Sequence, residues 1–395
     1  MVSSSDKKTL LFLFFVLFFI IISTYIISVF ARGYQLTYRP GVGLSFRPTG
    51  LVSLSSRPKG ASVYINHRLL TATDNVLNLP PGNYHLKIVK DGYFPWSKEI
   101  KIKKELVFQA DIDLFRSTPD LKAITFSGAI HPTVSPDGQK IIYSVASASA
   151  SVDNGLYLLD ITSPILPLSR NLPRQLAPNF ATIDWSQASF VFSPDSKMVL
   201  AQFHGFSFLL DLSQTISYRQ LYDVTPRLPL ITSEWNKQEQ AILTAKLNRL
   251  PLFLKTVIAT QSAAKFQFAS DDNRLFYLSA LGASLPPSAW DDPKQTREIK
   301  PNLLYTYDLK KDANYLLGHP ADFTQLSWIP NSSTLLFIKQ HHLNIIESDG
   351  TNQQILFTGN FSPVLACPWP DGAKVIILTS AYSAPQENLY TVSLR

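Results

Sequence analysis

The side chains able to do chemistry are few in this chain, and they do not converge. His341 and His342 are adjacent, so on a strand their rings point to opposite faces and do not share a metal. No His-x-x-x-His pair and no acidic cluster with metal-ligand spacing occurs. The single cysteine, Cys367, rules out an intramolecular disulfide or a multi-cysteine metal site and reads as a small packed hydrophobe. Asp137, Asp195 and Asp371 each sit in a Pro-Asp turn, where the carboxylate bonds local backbone, and Ser348-Asp349-Gly350-Thr351 is a hairpin turn. No catalytic residue, metal ligand or cofactor site is assigned.

What remains are binding types. Trp290, Asp291, Asp292 and Arg297 fall in GASLPPSAWDDPKQTREIKP, residues 282–301, too long for an ordinary connection. A tryptophan among charges there is an expected exposed anchor for a partner. The competing reading is a disordered insert. Lys98, Lys101, Lys103 and Lys104 form the most basic stretch. Ile100 and Ile102 alternate with Lys101 and Lys103, which puts these lysines on one strand face. That face suits anionic head groups or wall polymers, or else is a solvated edge strand protected by lysine.

The elements that must hold these residues are strands. Charged residues are 16% and aromatics 12%, with 27 prolines, a balance that favours short strands and tight turns over long helices. At 395 residues the chain exceeds one ordinary domain. The net charge of +7 is spread along it rather than gathered in a stripe, which argues against a nucleic-acid partner.

After a short tail, 1–9, residues 10–30 read LLFLFFVLFFIIISTYIISVF without a charge, about 31 Å of helix and enough to cross a bilayer. Val29-Phe30-Ala31 would suit a signal-peptide cleavage site, but the apolar run exceeds a signal peptide's, so an uncleaved anchor is expected. Basic residues flank both ends nearly equally and do not set the orientation. Residues 31–49 read as a juxtamembrane linker.

From residue 50 to 115, short alternating strands and Pro/Gly turns describe a small β-sandwich-like module. Pro58-Lys59-Gly60-Ala61, Val63-Tyr64-Ile65-Asn66, Leu79-Pro80-Pro81-Gly82-Asn83-Tyr84 and Lys90-Asp91-Gly92-Tyr93 resemble the PEGA family, with Lys59 in place of its glutamate. The resemblance implies a surface-associated β module and no catalysis.

Over 119–395 a strand pair joined by a Pro-Asp-Gly-like turn recurs. Ser135-Pro136-Asp137-Gly138 and Ser193-Pro194-Asp195-Ser196 are the clearest copies. Weaker ones lie at 233–238, 268–273, 327–332 and 368–377. Six copies suggest a β-propeller of six blades, with five or seven open. The last copy lacks an outer strand, and residues 121–127 are expected to supply it and remove an exposed edge. Trp185, Trp235, Trp328 and Trp369 lie on or near inner strands and read as inter-blade packing. These strand pairs resemble TolB-like, WD40-like propellers, which implies protein or peptide binding.

The expected protein is thus all-β, a single-pass cell-membrane protein anchored by residues 10–30. Its PEGA-like sandwich and propeller lie outside the cytoplasm, the side chosen on family grounds, and its partner is a protein or cell-envelope polymer. The rival is an extracytoplasmic enzyme acting on glycans or peptides in the propeller channel, a reading that inward-facing paired carboxylates would favour.

Overall fold

A computed structural model describes residues 4–31, 34–39, 43–162, 172–258, 266–290, 292–359, 361–380 and 386–395. The chain divides into two units, Met1–Asp91 with Pro95–Leu114, and Gly92–Phe94 with Phe115–Arg395.

The first unit opens with helix α1, Ser4–Ala31. Apolar side chains cover all its sides and stand exposed, Phe12 at 67% and Ile27 at 66%. Its described side chains run from residue 12 to 28, about 26 Å of helix. Among the described residues no helix is both long and apolar enough to cross a membrane.

The expected linker is instead partly a hairpin, Tyr34–Arg39 paired antiparallel with Gly43–Pro48. The reason is a period-two pattern, Tyr34, Leu36 and Tyr38 alternating with polar residues, which outweighs the Gly/Pro punctuation. The sandwich then forms from two sheets. In one, Gly50–Arg57 pairs antiparallel with Asn75–Leu79 and parallel with Val107–Asp113. The other has the order Arg68–Ala72, Ser62–Ile65, Gly82–Val89, Trp96–Ile102. Val52, Leu54, Val63, Leu86, Ile88, Ile100 and Ile102 alternate inward and are buried. Asn66 and His67, φ 47° and 67°, make the two-residue turn that right-twisted strands favour.

Among the described residues the second unit contains five antiparallel sheets of three or four strands, besides one two-stranded pair. Each is an up-and-down meander, called a to d from the inside outward, as in a propeller blade. The first is Ile130–Val134, Lys140–Val145, Gly155–Asp160 and Arg174–Pro178; the second is Ser189–Phe192, Met198–Gln202 and Ser207–Asp211. The others have inner strands Phe266–Phe268, Thr324–Trp328 and Phe361–Pro368. Inner strands lie side by side from the third of these sheets through the fourth and fifth to the first and second.

Turn chemistry explains the repetition. In the first sheet Ser135 Oγ donates to Asp137 Oδ1 (2.5 Å), which also accepts from Gln139 N–H (3.0 Å), and Gly138 has φ 68°. Ser193, Asp195 and Lys197 repeat this at 2.6 and 3.2 Å, with Ser196 at φ 59°. Asp271 and Asp371 accept in the same way from Asn273 and Ala373. The 327–332 copy makes the corresponding bend with Asn331 at φ 57°.

The 233–238 copy does not. It lies in α2, Leu228–Leu247, followed by α3, Leu252–Val257, so a helical segment stands where a sixth sheet was expected. After Pro229 in the first turn the sequence has no glycine or proline and is rich in Glu, Gln, Lys, Ala and Leu, all good helix formers. Leu254 and Val257 are buried against Phe266, Leu275 and Tyr305, with Leu243 and Leu247 packed alongside. Trp235 is therefore half-buried on a helix, not on an inner strand.

The ends of the unit clasp. Leu121–Ala123 pairs with Asn388–Ser393 as outer strand of the last sheet. Thr125 Oγ1 donates to Asn388 Oδ1 (3.0 Å) and accepts from Leu389 N–H (2.9 Å), both buried.

Candidate binding surfaces

Up-and-down order places every a-to-b turn at one face of the propeller and every b-to-c and d-to-a connection at the other. The second face carries the loop 279–303, between Arg274–Leu278 and Leu304–Asp308. This loop is braced rather than loose. Ala283–Ser284 pairs with Glu298–Ile299, and Thr296 exchanges bonds with Asn314, N–H to O at 2.8 Å and Nδ2 to Thr296 O at 3.2 Å.

Trp290 is half-buried, not the exposed anchor expected. The Lys311 ammonium lies 4.8 Å from its ring centroid, the Gln295 amide donates to its carbonyl, and its backbone N–H donates to Ser288 Oγ (3.0 Å). Asp292 accepts from Tyr315 Oη (3.1 Å). Arg297 directs Nε to Pro286 O (2.7 Å), Nη1 to Asp312 O (2.8 Å) and Nη2 to the Asp312 carboxylate (3.2 Å). These contacts hold the Arg297 guanidinium inside the loop. Asp291 lies outside the described residues. Burial first, then the carboxylates of Asp312 and Asp292, push the Tyr307 and Tyr315 hydroxyls up, so both stay neutral donors. The local reason the sequence folds inward here is this pair of tyrosines one strand away, which nothing in the loop itself announces.

The basic residues divide. Lys101 and Lys103 are exposed on the side opposite buried Ile100 and Ile102, with Glu99 beside them, while Lys98 shares the alternate side and is half-buried. Lys104 stands exposed in the turn beyond. Trp96–Ile102 is an edge of its sheet, as the edge-protection reading requires.

A surface that sequence reasoning missed lies on the second sheet. Phe203 and Phe206 flank the b-to-c turn His204-Gly205 and stack at 4.8 Å. Phe203 meets Trp185 at 5.7 Å, and Phe180, from the d-to-a connection, meets Tyr218 at 5.4 Å. Trp185 is fully buried and donates Nε1–H to Pro178 O (2.9 Å), so it supports the cluster. Phe203 and Phe206 are half-buried, Tyr218 is 55% exposed and Tyr222 75%. Asp223 bridges to Phe208, which brings Tyr222 to this same end. The visible signal was Phe-His-Gly-Phe, two aromatics around a tight turn.

The other singled-out residues are structural. Trp328 donates Nε1–H to Gln267 O (3.1 Å) on the neighbouring inner strand, and Trp369 lies under the Lys374 ammonium at 5.4 Å. His341, φ 60°, sits in the two-residue turn before the strand rather than on it, and His342 Nδ1 pairs with Thr358 Oγ1 (3.0 Å). Burial pushes the Cys367 thiol up to about 12. The inner strands IHPTV, SFVF, FQF, TQLSW and FSPVLACP contain no aspartate or glutamate. Among the described residues no group of three His, Cys, Asp or Glu is placed to hold a metal.

A β-sandwich followed by a succession of up-and-down meanders defines a two-unit, mainly β protein of propeller type. Within it, residues 49–118 match the PEGA domain family, three residues longer at the C-terminal end than the sequence boundary and one at its start. No curated protein matches the chain. Solved structures similar to it include a putative TolB from Agrobacterium tumefaciens, 13% identical over 69% of this chain and 80% of that one (TM-score 0.22). An oligogalacturonate lyase in complex with manganese is 13% identical over 88% and 74% (TM-score 0.23). TolB from Acinetobacter baumannii is 15% identical over 78% and 60% (TM-score 0.20). The sheet order above, not these likenesses, carries the propeller assignment.

Proposed function

We propose that this protein is a non-enzymatic, single-pass membrane protein of the cell envelope, held by α1, with both β units outside the cytoplasm. Its propeller binds a protein or polymer through the face of the b-to-c connections. One observation carries the binding reading: the aromatic surface of Phe180, Phe203, Phe206, Tyr218 and Tyr222 on that face, next to a turn with no bulky side chain at Gly205. Tyr218 and Tyr222 are exposed and the three phenylalanines half-buried, and aromatics so placed are the residue types that anchor partners. The anchoring reading is supported by a helix that is apolar on all sides, which no soluble surface helix is. Paired inward carboxylates would favour the rival enzyme, and the described inner strands contain no aspartate or glutamate.

Two measurements test this. The protein should stay with membranes through an alkaline wash and begin at or near Met1; a soluble fragment beginning at Arg32 would remove the anchor. A photo-crosslinking side chain at position 222 should capture a partner in native membranes, whereas one at Lys197, on the a-to-b turn face, should not. Equal capture at both, or capture at 197 alone, would move the binding face.

A further inference from the structure

One hydrogen bond ties the segment after α1 to one end of the sandwich. Tyr34 follows Ala31, the last residue of α1, by three positions, and its hydroxyl donates to Glu105 Oε1 at 2.9 Å. Glu105 sits in the turn that closes Trp96–Ile102 onto Val107–Asp113, and its N–H donates to Thr49 O (3.0 Å). The end of the sandwich holding Lys103, Lys104, Leu106 and Val107 is thereby fixed beside the C-terminal end of the apolar helix. Leu106 is 56% exposed and Val107 60%, and Lys101, Lys103 and Lys104 are exposed around them.

We propose that this end of the PEGA domain rests on the anionic lipid surface around α1, with the lysines at the head groups and Leu106 entering the interface. The inference rests on the anchored reading of α1. Edge protection accounts for a lysine along Trp96–Ile102, but Lys103 and Lys104 lie beyond the strand, where no edge needs covering. Apolar side chains among lysines, at the exit point of an apolar helix, match an interface of acyl chains below and negative charge above. Each lysine close to an anionic surface is worth about fivefold in association, so three give about a hundredfold. A wall polymer would find the lysines but have no use for Leu106.

The test uses the full chain in vesicles. Cys367 is buried, so Leu106→Cys provides one reactive thiol for a nitroxide, and Lys59→Cys provides a second site at the far end of Gly50–Arg57, about 25 Å along the strand. In vesicles with a third phosphatidylglycerol, the label at 106 should shift from aqueous to interfacial depth while the label at 59 stays aqueous. Lys101→Glu, Lys103→Glu and Lys104→Glu together, or pure phosphatidylcholine, should return the 106 label to water. A 106 label that stays aqueous on protein that floats with the vesicles overturns the proposal and leaves the anchor intact. An interfacial 106 label that ignores both the charge reversal and the lipid overturns the role of anionic lipid. Protein that fails to float shows instead that the anchored reading itself has failed.

Discussion

Phe190–Leu200 and Ser233–Leu243, the latter beginning with the 233–238 copy of the repeat, fold differently. The first turns at Ser193-Pro194-Asp195-Ser196 and gives two paired strands, with Phe190, Phe192, Val199 and Leu200 buried. The second is a continuous helix with no buried residue of its own. The first is also the more apolar, with six apolar residues of eleven against four of eleven. A second difference lies in the turn: a proline that cannot extend a helix, a serine and an aspartate that bond the local backbone, and a residue tolerating positive φ. Where Glu, Asn, Lys and Gln stand instead, nothing stops the helix. Punctuation, together with apolar content, separates the copy that becomes a blade from the one that does not.

The largest effects that sharpen this comparison come from burial. Leu200→Ala empties a site with 1% exposure and is expected to cost about 2–5 kcal/mol of unfolding free energy. Ile242→Ala, on the 46% exposed face of α2, should stay within about 0.5 kcal/mol. Urea midpoints of both variants check this; equal losses would mean α2 is packed as a blade is.

Gly372→Ala comes next. Gly372 has φ 68° in the last a-to-b turn, and a Cβ there would stand 2.3 Å from Pro330 O, which is backbone and cannot swing aside. Strain and clash together should lower stability by more than about 1 kcal/mol. Gly138→Ala, at the same φ with nothing within 4 Å, should cost about 1 kcal/mol or less. If the two are alike, the close approach of neighbouring turns is not what fixes this glycine.

The clasp gives a third, smaller test. Thr125→Val keeps shape but leaves Asn388 Oδ1 without one donor and Leu389 N–H without its acceptor, at about 1–3 kcal/mol. A melting temperature equal to that of the parent would show that the last sheet does not depend on its N-terminal strand.

These cases also mark what the sequence could disclose. Turns with Ser-Pro-Asp-Gly, the Pro/Gly turns of the PEGA domain and the unfilled outer strand before Arg395 were all readable, because each is a local pattern or an accounting of strand edges. Trp290 was misjudged because its exposure depends on Lys311, Gln295 and the strand carrying Tyr315, none of which its own segment reveals. The hairpin at Tyr34–Pro48 was hidden by its prolines and glycines, although its alternation was present. Phe203 and Phe206 were readable as a turn but not as a surface, since that requires Phe180, Trp185 and Tyr218 to arrive from other connections. Local chemistry shows in a sequence; convergence across sheets does not.

The smallest prediction returns to the turn that separates the two stretches. The Ser193 hydroxyl bonded to Asp195, then the Lys197 N–H and ammonium, hold this carboxyl below the usual aspartate range. A carboxyl whose folded pKa is depressed contributes stability that is present above the unfolded value. That contribution is lost as pH falls through the folded value, so the affected window lies below about pH 4. Asp195 is largely exposed, so solvent screening keeps the effect well under about 1 kcal/mol. Asp195→Asn retains the turn shape and an acceptor oxygen but removes the charge, so it should be slightly less stable than the parent at pH 7. The difference should shrink as pH falls from about 4 toward 2, because the parent loses the same charge by protonation. Urea midpoints at pH 7, 4 and 2.5 check this. A gap that stays constant with pH would mean that Asp195 acts through shape alone. Shape would then be the whole of what Ser233–Gln238 lacks, and charge would be no part of it.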